Sequence, residues 1–157
     1  MTIPEQLDKI GSAIVEKLKA DIKTKRITKF GVVNASGKLA DSVRYEVYDL
    51  GVRIYALDYI YYLQFGRAPN KNKSPEALHK WVGWAGSTFI KDWVEEKGIN
   101  LNPYAVAYSI ARKGNTVYQQ GGSDLITGVI QSEFFTNLVK ELTDNFVAEL
   151  VSPFEVK

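Results

Sequence analysis

The spacing of apolar residues changes partway along this chain, and that change limits the folds open to it. Near the start, Leu7, Ile10, Ile14, Leu18 and Ile22 fall three and four apart with Asp8, Glu16, Lys17 and Lys19 between them, so an amphipathic helix is expected over roughly residues 5–23. Near the end, Phe134, Phe135, Leu138, Leu142, Phe146, Leu150 and Val151 repeat the spacing, which predicts a long helix over 132–151, stopped by Pro153. Between them, Arg44–Tyr48 and Val52–Ala56 are short runs of β-branched and aromatic residues. Asp49-Leu50-Gly51 joins them as a three-residue hairpin connection, with Gly51 at the position of positive φ. Helical stripes around one short hairpin specify an α+β chain, a small antiparallel β-sheet packed against helices. Each stripe must be covered, either within the domain or by a neighbouring subunit.

The remaining segments follow from capping and breaking signals. Asn34-Ala35-Ser36-Gly37 is turn chemistry, and Ser36 or Gly37 starts a short helix through Leu39 and Val43. Residues 58–66, apolar on nearly every side and ending in Gly66, read as a short buried helix. The loop 67–73, rich in Pro, Asn and Lys, is expected to be exposed and mobile. Ser74-Pro75-Glu76 opens a helix whose stripe, Leu78, Trp81, Val82, Ala85, Phe89 and Trp93, runs to Gly98, with a break expected at Gly83 and Gly86. Asn102-Pro103 opens another, over 103–113. Gly121-Gly122 marks a turn, and Leu125–Ile130 fits a strand or a helical turn equally well. With no internal repeat and no separating linker, residues 1–157 read as one domain, with 74–100 as a helical arm inserted into it.

Composition excludes several chemistries. The absence of cysteine removes thiol nucleophiles, disulfides and cysteine-based metal centres, and fits folding in a reducing cytoplasm. A single histidine, His79, cannot build a multi-imidazole site, and its place beside Leu78 makes it a helix-surface residue. Phosphate-loop, nucleophile-elbow, dinucleotide and zinc-protease motifs are all missing from the sequence. Glu95 and Glu96, the one adjacent carboxylate pair considered for glycosidase chemistry, point apart on a helix and suit a solvated face. Residues 1–11 carry acids and no apolar run, so no secretory leader is expected there, and no stretch reaches the length of a membrane span. No cofactor or metal is expected.

Two features remain as candidates for binding. Lys17, Lys19, Lys23, Lys25, Arg26 and Lys29 place six cations within thirteen residues, interrupted only by Asp21, a possible phosphate-contacting link. A solvated helix face explains the run more simply, because the net charge is only +2 and no recognition motif accompanies it. That total hides an asymmetry: residues 1–73 carry 13 basic against 8 acidic residues, or +5, and residues 74–157 carry 7 against 10, or −3. Opposed halves suit head-to-tail contact between copies. The aromatic run Tyr55, Tyr59, Tyr61, Tyr62 and Phe65 reads as mostly core. Trp84 falls off its helix's stripe and is assigned to a second contact layer or a subunit interface.

Ala35-Ser36-Gly37-Lys38-Leu39-Ala40-Asp41-Ser42-Val43, two short strands, then Asp58-Tyr59-Ile60-Tyr61-Tyr62-Leu63-Gln64-Phe65-Gly66-Arg67-Ala68-Pro69, form an ordered set. That set resembles the tail-completion or neck (head–tail connector) proteins of tailed bacteriophages. Gly37, Leu39, Ser42, Val43, Tyr59, Tyr62, Phe65 and Gly66 occupy the places of that family's motifs. Ser74–Leu78, Trp81-Val82, Glu96–Ile99 and Tyr108–Thr116 look like its inserted arm and return helix. Two departures stand out, Gln64 and Arg67 in place of the commoner Glu and Thr, and a longer, more aromatic arm. The resemblance implies a curved antiparallel sheet with a packed helix, no catalytic residues, and a structural virion protein made in the host cytoplasm. It further implies a homo-oligomeric ring of six or twelve copies at the head–tail junction, touching other neck, portal-adaptor or tail-tube proteins, with no membrane and no specific nucleic-acid binding. The subunit-interface residues expected on this reading are Phe65, Gly66 and Arg67 at the hinge of the loop, Lys71 and Lys73 within it, Lys23, Lys25, Arg26 and Lys29 in the basic link, and Trp84. A nucleic-acid-binding accessory protein using residues 17–29 is the alternative.

Overall fold

The first helix, α1 (Ile3–Thr24), begins ahead of its apolar stripe because Thr2 and Glu5 close a capping box. The Thr2 hydroxyl accepts from the Glu5 amide, and the Glu5 carboxylate accepts from the Thr2 amide at 2.7 Å. The computed structural model describes residues 1–29, 31–32 and 37–151, the side chains of 31, 32, 149 and 150 excepted. Within that range the chain is α+β, predominantly helical.

The expected basic link does not exist as a link. Lys23 belongs to the last turn of α1, and Arg26–Thr28 forms β1, antiparallel to β2 (Gly31–Val32). The turn residues Asn34, Ala35 and Ser36 lie outside the described residues. Gly37, at φ 81°, leads into α2 (Lys38–Ser42), whose Leu39 is buried. The Ser42 hydroxyl donates to the Leu39 carbonyl and accepts from the Leu57 amide at 3.1 Å, which ties α2 to the end of the following hairpin.

That hairpin is β3 (Arg44–Tyr48) with β4 (Gly51–Tyr55), in a register that pairs Arg44 with Tyr55 and Tyr48 with Gly51. The connection is therefore the two residues Asp49-Leu50, and positive φ (42°) falls on Asp49 rather than Gly51, because Gly51 is already inside the ladder. Tyr45 lies on the side facing α1, where a Cβ at Gly11 would stand 2.3 Å from its ring. Only glycine lets the ring rest on the helix backbone there, and the Tyr45 hydroxyl then reaches the Asp8 carboxylate at 2.9 Å. The opposite face is a polar ladder: Arg44 stacks over Tyr55, Arg53 over Tyr48, and Glu46 accepts from Arg44 and from the Tyr55 hydroxyl. The two ribbons are separate, so the β-structure is two short pieces rather than one sheet.

Helix α3 (Ile60–Phe65) corrects the expectation of a buried helix. Ile60 and Gln64, one turn apart, face the interior, while Tyr61, Tyr62 and Phe65 are all more than half exposed. Six residues present one face to the body, and among the described residues Tyr61, Tyr62 and Phe65 are left exposed on the other. The arm then follows as α4 (Pro75–Ser87), α5 (Phe89–Lys97) and α6 (Pro103–Lys113), opened by the caps at Ser74 and Asn102. Its break is at Thr88 (φ −121°, ψ −114°), not at the glycines. The Ser87 and Thr88 hydroxyls bond back to the carbonyls of Gly83 and Trp84, drawing the chain out of the helix there. Gly86 instead admits the Tyr104 ring. The arm thus reaches past residue 100 to include α6.

The chain returns through α7 (Thr116–Gln119) and α8 (Thr127–Ile130), the latter resolving the ambiguous segment as a helical turn, and ends in α9 (Glu133–Val151). Two hydrophobic clusters result. Val15, Leu18, Ile22, Leu39, Val43, Ile60, Leu125 and Val129 form the body's core around α1. Ala85, Ile90, Val94 and Ala107 form a separate core within the arm. Helix α9 lies along α1, with Leu138 and Leu142 half-buried and Lys9 paired to Glu141, yet none of its described residues from 133 to 148 is fully buried.

Candidate functional site

The residues singled out around the loop 67–73 converge on the joint between body and arm. Gly66 (φ 78°) ends α3, and a Cβ there would stand 2.1 Å from the Tyr118 backbone nitrogen in α7. Immediately before it, Gln64 is buried and fully bonded. Its amide NH2 donates to the Ser123 carbonyl at 2.6 Å and its oxygen accepts from the Ile126 amide at 2.7 Å, so one side chain caps the approach to α8. A carboxylate could not donate to Ser123, which gives the glutamine at this place a physical reason. The Ser123 hydroxyl and amide complete the joint by donating to the carbonyls of Leu63 and Gln64.

Arg67 is held rather than mobile. Its amide donates to the Asn115 side-chain oxygen and its carbonyl accepts from the Asn115 amide, both at 2.9 Å. The guanidinium lies 4.1 Å from the centre of the Trp81 ring and donates to the Asn70 side-chain oxygen at 2.8 Å. The Asn70 amide in turn donates to the Ala111 carbonyl on α6. Burial against the tryptophan pushes the Arg67 pKa down from its ordinary value. Half of the expected mobile loop is thus fastened to the arm, while Lys71 and Lys73 remain exposed beyond it. An open groove of about 540 Å³ runs between this loop and α4, lined by Arg67, Lys71, Lys80, Trp81 and Trp84 among others. Trp84 is 59 % exposed and meets Phe89 edge-on at 5.4 Å, outside the arm core.

The aromatics of α3 do not enter the core as expected. Tyr61 and Phe65 stack on one another at 6.4 Å on the surface, with Tyr62 and Tyr59 also exposed. Burial raises the Tyr59 pKa, with the Glu96 carboxylate adding to it. His79 stands exposed on α4, and Glu95 and Glu96 are exposed on α5.

The basic residues of the first segment are dispersed by their partners. Lys17 pairs with Asp21 one turn on, Lys25 with Asp124 at 2.9 Å, and the Arg26 guanidinium donates to the Lys29 carbonyl. Lys23 is exposed at the end of α1. Among the described residues, these partners of Lys17, Lys25 and Arg26 lie apart from Phe65, Arg67, Lys71 and Trp84. The hydrogen bond from Lys25 holds the Asp124 carboxyl below its ordinary range. A carboxyl lowered in the folded state stabilises it above the ordinary pKa and loses that contribution as pH falls through the lowered value. Lys25→Met is therefore expected to move the Asp124 titration, followed by NMR of the side-chain carboxyl, back up to the ordinary value. An unchanged midpoint in the variant would remove Lys25 as the cause.

Among the described residues, no cluster of three or more His, Cys, Asp or Glu is placed to hold a metal ion, and no helix is long and apolar enough to cross a membrane. Compared with protein-family models, curated proteins and solved structures, the chain matches none.

Proposed function

We propose that this chain is a structural virion protein that forms a ring at the head–tail junction of a tailed bacteriophage. The observation that carries the reading is apolar surface a single copy leaves in water. On α3, Tyr61, Tyr62 and Phe65 are each more than half exposed, and on α9, Val139, Phe146, Val147 and Val151 are exposed as well. Monomeric proteins rarely leave such contiguous surfaces uncovered, and subunit interfaces are enriched in tyrosine, tryptophan and phenylalanine. The α2–hairpin–α3 order, with Leu39 and Val43 in the core and Gly66 at a contact only glycine allows, supports the resemblance in the sequence. The work of such a protein is shape. Its ring covers these faces, and its neighbours are further copies together with neck, portal-adaptor or tail-tube proteins.

Mass photometry of the purified protein, alone and with portal or tail-tube protein, tests this. A discrete species of six or twelve copies is expected. A protein that stays monomeric and binds neither component at micromolar concentration overturns the reading.

A further inference from the structure

Resting on the ring reading, we infer that the groove between the loop 67–73 and α4 receives the acidic outer side of α5 from the next copy, joining arm to arm head to tail. The groove offers three cations, Arg67, Lys71 and Lys80, around the exposed Trp84. Helix α5 buries Ile90 and Val94 in the arm core and turns Asp92, Glu95 and Glu96 outward against one exposed cation, Lys91. Phe89, 46 % exposed at the start of α5, supplies the apolar contact that complements Trp84 of the receiving copy.

Both surfaces are built on the arm. The core of Ala85, Ile90, Val94 and Ala107 fixes α4 and α5 against each other, and Trp84 already touches Phe89 across the break at Thr88. A donor face and an acceptor groove held at a fixed rotation give a heterologous contact, the kind that closes into a ring when the rotation divides the circle. Arg67 is pre-ordered for this by its stack on Trp81 and its bond to Asn70, so little side-chain freedom is lost on docking. The charge asymmetry of the sequence acquires a place here: the loop contributes to the basic half and α5 to the acidic half.

Reciprocal charge reversal tests the pairing. Lys71→Glu with Lys80→Glu makes the groove acidic, and Asp92→Lys with Glu95→Lys makes α5 basic. Each double variant alone is expected to need at least ~10-fold more protein for half-assembly than the wild type. An equimolar mixture regains wild-type assembly, because alternating copies restore opposite charges at every contact. Circular dichroism verifies that both variants fold. If the wild type assembles and either variant assembles equally well, or the mixture regains nothing, the pairing is overturned and the ring reading stands. A wild type that stays monomeric up to high micromolar concentration overturns the pairing, and it overturns the ring reading as well if it binds neither portal nor tail-tube protein. A labelled single-stranded oligonucleotide provides the last arm: if the wild type binds it and the groove variant loses that binding while assembling normally, the groove serves nucleic acid and the inference falls.

Discussion

Gly66→Ala is expected to destabilise the protein by at least about 3 kcal/mol, measured by urea denaturation, and to leave little folded protein where the wild type is marginal. Two independent costs meet at this position. The backbone sits at φ 78° and ψ 172°, a region that residues with a Cβ rarely adopt, and the added carbon would stand 2.1 Å from the Tyr118 nitrogen. Because the obstacle is backbone, no rotamer change relieves it. The displaced segment, α7, begins directly after Asn115, whose side chain holds the Arg67 amide, so the strain spreads to the groove. Gly83→Ala is the control. Nothing lies within 4 Å of a Cβ there, and the helical position gains propensity, so that variant is expected to be neutral or slightly stabilised. Equal stability of Gly66→Ala and wild type would mean that α3 and α7 do not approach as described.

The second large effect is expected at Gln64. Truncation to alanine removes all four hydrogen bonds of the side-chain amide, strands the Ser123 carbonyl and the Ile126 amide, and leaves a cavity beside the body's core, for a loss of roughly 2–4 kcal/mol. Gln64→Glu is expected to lose less, since a carboxylate still accepts from Ile126 and Thr127 but opposes the Ser123 carbonyl. Denaturation midpoints of the three proteins should therefore fall in the order Gln, Glu, Ala. If glutamate equals or exceeds glutamine, the Ser123 bond is not a significant stabilising contact.

Helix ends and types were legible because the determinants are local. Ser74-Pro75 and Asn102-Pro103 cap where a hydroxyl and an amide oxygen can reach the first free amides, and the apolar spacing of α1, α6 and α9 needs no distant partner to be recognised. What failed depended on contacts far apart in sequence. Gly86 reads as a breaker until Tyr104 is known to pack on it, and the loop 67–73 reads as mobile until Asn115 and Trp81 are seen to hold Arg67. The α3 aromatics show the same limit from the other side. A helix apolar all round must be covered, but its sequence does not say whether the cover comes from its own chain.

Of the candidate interface residues, the groove members Arg67, Lys71 and Trp84 were recoverable from composition and from the stripe that Trp84 leaves. Lys80 carries no such signal, because it lies on a helix face whose neighbour, the loop, folds back through Arg67 and Asn70. Lys25 was marked for its charge, and its pairing with Asp124, ninety-nine residues away, carries no local signal.

The separation of the two hydrophobic clusters also bears on how such a protein changes over time. Since Ala85, Ile90, Val94 and Ala107 share no packing with the body's core around α1, the arm can vary in length and surface without disturbing the residues that keep the body folded. Fit to a neighbour and stability of the fold are written in different stretches of one sequence, and selection can act on the first while leaving the second alone.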